Sequence, residues 1–460
     1  MRAFLVAKLS SKALRGLNYS PAVERIRRSG SSTAHPLRAL VKAFGSGYGT
    51  AFARLECSLE YGVELLSQSD VFAAEPQGRF IRRDSMPHPD RHFIERGQVL
   101  IAGVGTLKEN EIYGRSLLAD SRLAGKYLSQ DAMALTFEEP NSDLSLYTYA
   151  WLASPTGVAV LRSTSYGTKL LRIRRDLLST IPVPEAPAAV VARVARLVRK
   201  CVKGRETYYR AIRESRLLVE GNASVAEASE ACSTRTRRSV VWDGPLPSIC
   251  AWNFAAGGGA VRLLRDRWRT VLADVIESQG VFNGPRFARI NCMPPHGIDF
   301  LSQRDVFMIR PVGRRIVQPA IPDQMLFVPK GALLVGSHGQ MNEGSIFGKV
   351  ELASFAGWRA GVTQDILRVL VKEGFREVAY AFLSTSVGQW LLKSTAVGTS
   401  IPSMRIDLLK SLPFPELGSV PTDRIKILVL SAEVARIEAD EAEAEAIRII
   451  EEEVLPQWLA

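Results

Sequence analysis

Residues 66–72 read LSQSDVF and residues 301–307 read LSQRDVF, and this echo constrains the fold more than any other feature of the chain. Setting Phe52-Ala53-Arg54 over Phe287-Ala288-Arg289 gives an offset of 287 − 52 = 235. At that offset FARLECSLEYGVELLSQSDVFAAEPQGRFI lies over FARINCMPPHGIDFLSQRDVFMIRPVGRRI with half the positions identical, and Cys57 falls on Cys292. The register continues at 234, with RGQVLIAGVGTLKENEIYGRSLLA from Arg96 over KGALLVGSHGQMNEGSIFGKVELA from Lys330. At 231, LASPTGVAVLRSTSYGTKLLRIRRDLLSTIPVPE from Leu152 matches LSTSVGQWLLKSTAVGTSIPSMRIDLLKSLPFPE from Leu383. A period this long exceeds any solenoid repeat, so each copy is a whole domain and the chain a tandem duplication.

A chain of 460 residues that is 46% hydrophobic can build two or three cores. No apolar run approaches the roughly 20 residues of a membrane span, and the opening MRAFLVAKLSSKAL is too short a stretch for a secretory signal. A soluble, cytoplasmic protein is expected. Cys57, Cys201, Cys232, Cys250 and Cys292 show no CxxC spacing and no nearby histidine cluster, which supports neither zinc nor disulfides. Net charge is +12, and because the segment from Asp423 to Ala460 is rich in Asp and Glu, the remainder is more basic still. Such a balance suits nucleic acid and equally suits plain solubility.

Within each copy, apolar runs at Gln98–Ala102 and Ala332–Val335 read as buried strands, and Leu144–Leu161 and Glu377–Leu392 carry helical spacing. Each copy is therefore an α+β globule, closed by Pro182-Val183-Pro184-Glu185 or Pro413-Phe414-Pro415-Glu416, where proline stops the last strand. After the first stop, Val190, Val194, Leu197, Cys201, Tyr208, Ala211 and Leu218 trace the seam of a long helix. After the second, Ile427, Leu430, Val434 and Ile437, then Ala442, Ala446 and Ile449, trace another, about 50 Å long at 1.5 Å per residue. The first helix is basic (Arg193, Arg196, Arg199, Lys200, Lys203, Arg210, Arg213, Arg216) and the second acidic (from Glu433 to Glu453), so the two are expected to pair. The expected order is a globule over 1–185, a helix over 186–220, a linker over 221–248, a globule over 249–416 and a helix over 417–460.

GVELLSQSDVF and GIDFLSQRDVF, RGQVLIAGVGT, GSIFGK, and the helix-opening IPVPE and SLPFPE with the GT that precedes them, in this order and twice over, resemble the specificity subunit of type I restriction-modification systems. The resemblance covers nearly the whole length. It implies two target-recognition domains, each followed by a long helix, with the helices paired as an antiparallel coiled coil that holds the domains apart. It further implies a non-catalytic subunit that reads a bipartite site in double-stranded DNA, docks two methyltransferase subunits, and has a restriction or translocase subunit as a further partner. One departure follows the proline stops, where the chain reads PEAPAAVV and PELGSVPT and lacks the family's Glu-Gln. It bears on the partner subunit more than on the fold.

A catalytic centre has no sequence support. There is no Gly-rich fingerprint after a strand, no Walker loop, no His-Glu-x-x-His and no base-holding Asn or Asp-Pro-Pro-aromatic motif, CMPPH from Cys292 lacking the leading acid or amide. Gly257-Gly258-Gly259 lacks the Lys-Ser/Thr of a phosphate loop and reads as a flexible connection. His88 and His92 are kept off one helical face by Pro87 and Pro89, so neither metal nor cofactor is expected. Candidate base readers lie on strand-ending loops: Lys108 and Asn110 after GVGT, and His338, Gln340 and Asn342 in the equivalent loop. Cations that coincide in the repeat are candidate phosphate holders: Arg54 with Arg289, Arg79 with Arg314, Arg115 with Lys349, and Arg162 with Lys393. The alternative for each is a solvated surface charge or a structural ion pair, whereas LSQ-x-DVF reads as scaffold, since Asp70 and Asp305 would repel phosphate. A DNA-binding adaptor of another defence system and a diverged tandem-domain DNA enzyme remain the alternatives.

Overall fold

A computed structural model describes residues 16–20, 23–28, 35–46, 53–86, 92–107, 111–233, 248–254, 256–293, 295–341, 344–353 and 360–459. The chain divides into two compact units, Met1–Glu206 with Glu438–Ala460, and Thr207–Ile437. Their hydrophobic cores divide at the same places.

In the first unit the central strand Val99–Ala102 is VLIA, apolar at every position and buried on both faces. It sits between Ala132–Phe137 and Ser116–Leu118, and Val41–Ser46 completes a four-stranded antiparallel sheet. A second sheet places Gly62–Leu66 between Arg79–Arg82 and the parallel strand Tyr127–Leu128. The second unit repeats both sheets from Ile276–Asn283, Ile366–Val371, Leu333–Gly336 and Val350–Leu352, and from Arg314–Ile316, Ile298–Leu301 and Gly361–Val362. Register repeats as well. Val99 faces Leu118 as Leu333 faces Leu352, and Leu65 faces Tyr127 as Phe300 faces Gly361.

The repeated heptapeptide is scaffold in detail. Ser67 and Asp70 form a reciprocal capping box, as do Ser302 and Asp305, and Val71 and Val306 are fully buried. The two helical stretches each break in two, giving Asp143–Ala153 with Pro155–Arg162, and Arg376–Leu383 with Ser386–Lys393. The break is capped by Ser154 or Thr385, whose hydroxyls accept from the N–H groups of Gly157 and Gly388. A Cβ on Gly157 would lie 1.9 Å from the Trp151 carbonyl oxygen, and one on Gly388 would lie 2.2 Å from that of Phe382, so only glycine fits.

The first long helix is Ala188–Glu220; the second is Ser419–Ile449, prolonged by a π turn over Ile450–Val454 and by Leu455–Leu459. Within the first unit they run antiparallel, with Arg193 on Glu453, Lys200 on Glu438 at 3.3 Å and Arg205 on Glu443 at 2.7 Å, around Cys201, Ala439 and Ala442. Within the second unit Arg424 pairs with Glu214 at 2.7 Å, the reverse of the expected polarity. The architecture is thus α+β, two globules each followed by a long helix, with the helices paired antiparallel.

Two expectations are corrected. Ile427, Leu430 and Val434 are not seam residues: they are 59%, 46% and 57% exposed, and the buried stripe is Ile425, Leu428, Val429 and Ala432. This half of the helix carries two apolar stripes, and the one that also delivers Arg436 to the buried Glu351 and Glu433 to the half-buried Arg376 faces inward. Gly257, Gly258 and Gly259 are not a flexible connection but lie inside the helix Ala256–Arg267, where a Cβ on Gly257 would stand 2.0 Å from the Trp390 carbonyl oxygen. The polar stretch after Glu220 itself contains a helix, Ala223–Ser233. Among the described residues no helix is long and apolar enough to cross a membrane.

Candidate nucleic-acid interface

In both globules the loop that leaves the central strand is held by the glutamine of the repeated heptapeptide. Gln68 Nε2 donates to the Val104 carbonyl at 2.8 Å, and the Val104 N–H donates back to Gln68 Oε1 at 3.0 Å. Gln303 Nε2 donates to the His338 carbonyl at 2.8 Å and accepts from its N–H at 3.3 Å. A primary amide thus mimics a strand neighbour, satisfying one donor and one acceptor of the loop backbone in each copy. The sequence carries one signal of this grip, the coincidence of both glutamines in the repeat.

Beyond this anchor the loops differ. Val104–Gly105 pairs with Leu171–Ile173, which pairs with Ser165–Tyr166, whereas His338 forms a single bridge to Ser403 beside the hairpin of Ala396–Val397 and Ser403–Met404. The ring of His338 is half-buried with Nδ1 3.1 Å from Ser337 Oγ, and Gln340 is exposed. Lys108, Asn110 and Asn342 lie outside the described residues. Beside the first hairpin an open cavity of about 860 Å³ is lined by Phe44, Tyr166, Ile173, Arg174 and Ser179, with Arg174 held by Asp176 at 3.0 Å.

The repeated cations fall into distinct surroundings. Arg162 donates from Nε to the Tyr113 carbonyl at 2.8 Å and from Nη2 to that of Glu111 at 3.0 Å, and burial holds its pKa below the ordinary value. Lys393, 8% exposed, lies 4.9 Å over the Trp390 ring. Both sit under the turns at Gly114 and Gly348, which share a positive φ of 75° and 80°. Arg115 and Lys349 follow those turns and are half-buried. Arg54 is exposed, and Arg79 is exposed with its guanidinium 3.0 Å from Glu56. Arg289 lies 5.0 Å over the Phe300 ring and donates to Gln364 Oε1 at 2.8 Å. Arg314 is half-buried, with no ion-pair or hydrogen-bond partner for its side chain among the described residues. No group of three or more His, Cys, Asp or Glu side chains among the described residues could hold a metal ion.

No family model and no curated protein matches this sequence. Solved structures do. The S subunit of a type I restriction-modification system from M. genitalium aligns over 93% of this chain and 95% of its own at 12% identity, with a TM-score of 0.30. The HsdS subunit from Thermoanaerobacter tengcongensis aligns over 92% and 95% at 14% identity and a TM-score of 0.25. A chain from a structure concerning complex assembly and conformational transition of the type I R-M system aligns over 92% and 96% at 15% identity and a TM-score of 0.26.

Proposed function

We propose that this chain is the sequence-specific DNA-recognition subunit of a type I-like restriction-modification or methylation-based defence complex, reading a bipartite target with one half assigned to each globule. One observation carries the reading: a single globule is built twice with the same strand registers and the same glutamine anchor, while the anchored loops read GVGTLKEN in one copy and GSHGQMNE in the other. Fixed scaffold beneath divergent polar loops is what two readers of different half-sites require. Phosphate contacts from the repeated cations would set register on the duplex, in keeping with the net charge of +12. Catalysis would belong to methyltransferase subunits. The solvent-facing stripe of Val420, Ile427, Leu430 and Val434 on the second long helix gives such a subunit an apolar face to cover. Co-expression with a type I methyltransferase subunit, followed by sequencing of modified bases, tests the reading: a two-part methylated motif that vanishes without this chain supports it, and modification independent of this chain refutes it.

A further inference from the structure

Glu56 and Asn291 occupy one place in two copies of a fold. Glu56 makes an isolated antiparallel bridge to Ile81 and Asn291 makes the same bridge to Ile316, both partners displaced by 235 residues. Beside them stand the repeat-related Arg79 and Arg314. In the first globule the Glu56 carboxylate takes Arg79 Nη1 at 3.0 Å, an internal anion for that guanidinium. In the second, a neutral amide stands where the carboxylate was, and no described residue hydrogen-bonds or ion-pairs with the Arg314 side chain.

A second cation reaches the same spot. Phe300 is directly opposite Arg314 in the antiparallel strand pair, so their side chains share one face of the sheet. It is on the ring of Phe300 that Arg289 stacks, at 5.0 Å, oriented by hydrogen bonds to Gln364 Oε1 at 2.8 Å and Thr363 Oγ1 at 3.2 Å. Burial first, and then the like charge of Arg314, hold the pKa of Arg289 below its ordinary value, with Asp365 opposing. Arg314, without a counter-ion among the described residues, and Arg289, opposed by Asp365 alone, thus stand beside a position that holds a carboxylate in the sister globule.

We infer that Arg289 and Arg314 form a phosphodiester-binding site in the second globule, and that Glu56 closes the corresponding site in the first. Guanidinium forks match the oxygens of a phosphate in geometry and charge, which a carboxylate within the fold pre-empts. The two globules therefore grip a DNA backbone unequally although their cations coincide in sequence. This inference rests on the DNA-recognition reading and narrows it.

The test is the salt dependence of binding by the full-length chain to a fluorescein-labelled random-sequence duplex, with exchanges that the fold has already accepted in its other copy. Asn291→Glu should weaken binding several-fold and flatten the log affinity against log salt slope by about 1, the loss of one phosphate contact. Arg314→Gln should do the same, and adding Asn291→Glu to it should change nothing further. Glu56→Asn should steepen the slope by about 1 as the first site opens. An Asn291→Glu chain that keeps the wild-type slope overturns the site, and a Glu56→Asn chain with an unchanged slope overturns the closure of its sister. If Asn291→Glu abolishes only binding of inorganic phosphate, followed by phosphorus line broadening, the site takes free phosphate and the phosphodiester assignment falls while DNA recognition stands. A wild-type chain that binds no duplex overturns both.

Discussion

The guanidinium of Arg205 forks onto the carboxylate of Glu443, Nη1 to Oε1 at 3.0 Å and Nη2 to Oε2 at 2.7 Å, with both side chains almost wholly removed from solvent. The Tyr149 hydroxyl donates to the same carboxylate. Displaced by 231 residues, Arg436 and Tyr380 repeat Arg205 and Tyr149, but the acid there is Glu351 from the sheet, 3.0 Å from Arg436, with Tyr208 bonded to it at 3.1 Å. Each joint between helix and globule thus keeps its arginine and tyrosine and recruits its carboxylate from a different element.

Removing one partner of such a pair strands a buried charge. Arg205→Met should cost about 3–5 kcal/mol in urea unfolding, and Arg205→Met with Glu443→Leu should recover most of that loss because no buried ion remains. A single-variant loss under about 1 kcal/mol, the level of an exposed pair, would show that this joint is solvated.

These joints were illegible in the sequence because an arginine on a long charged helix, basic for Arg205 and acidic for Arg436, reads as surface. The clue was that Arg205 and Arg436 coincide at the offset of 231. Coincidence alone does not say what a shared cation does: it marks Arg162 and Lys393, tucked under turns, as well as the exposed Arg289 and the half-buried Arg314. The repeat carried the sheets with register intact, since a buried strand such as VLIA or LLVG leaves no choice of face. It failed on the second long helix, where two apolar stripes coexist along Val420–Ile437 and periodicity cannot choose between them. Local composition misleads at Gly257, where three glycines signal a loop unless the facing Trp390 carbonyl is known.

Acid should weaken the second unit through Glu416. Its Oε1 accepts from the Thr270 N–H at 2.9 Å, from the Thr270 hydroxyl at 2.9 Å and from the Arg269 N–H at 2.8 Å, and the Thr270 N–H first among these holds its pKa below the usual carboxylate range. With the folded pKa depressed, the stabilisation is complete above the unfolded value of about 4.3 and is lost as pH falls through the folded one. Melting temperature followed against pH should therefore fall less steeply below about pH 4.3 for Glu416→Gln than for the wild type. Parallel curves would remove Glu416 from the acid transition.

The exposed stripe on the second long helix yields a prediction about assembly. Ile427→Glu with Val434→Glu should leave the chain folded, because both positions are more than half exposed, and should abolish co-purification of the proposed methyltransferase partner. Retention of the partner at wild-type stoichiometry would mean that another face is the dock.

The most direct measurement of the two-reader account is a methylome. Cells carrying the chain with the methyltransferase subunit proposed for it are sequenced for modified bases, beside cells in which Gln340→Ala alters the exposed tip of the second anchored loop. The account predicts that specificity relaxes in one half of the bipartite motif, by about 1–3 kcal/mol at a contacted base, while the other half and the spacing stay as they were. A motif that changed in both halves together, or an undivided motif in the wild type, would contradict the claim that each globule reads its own half-site.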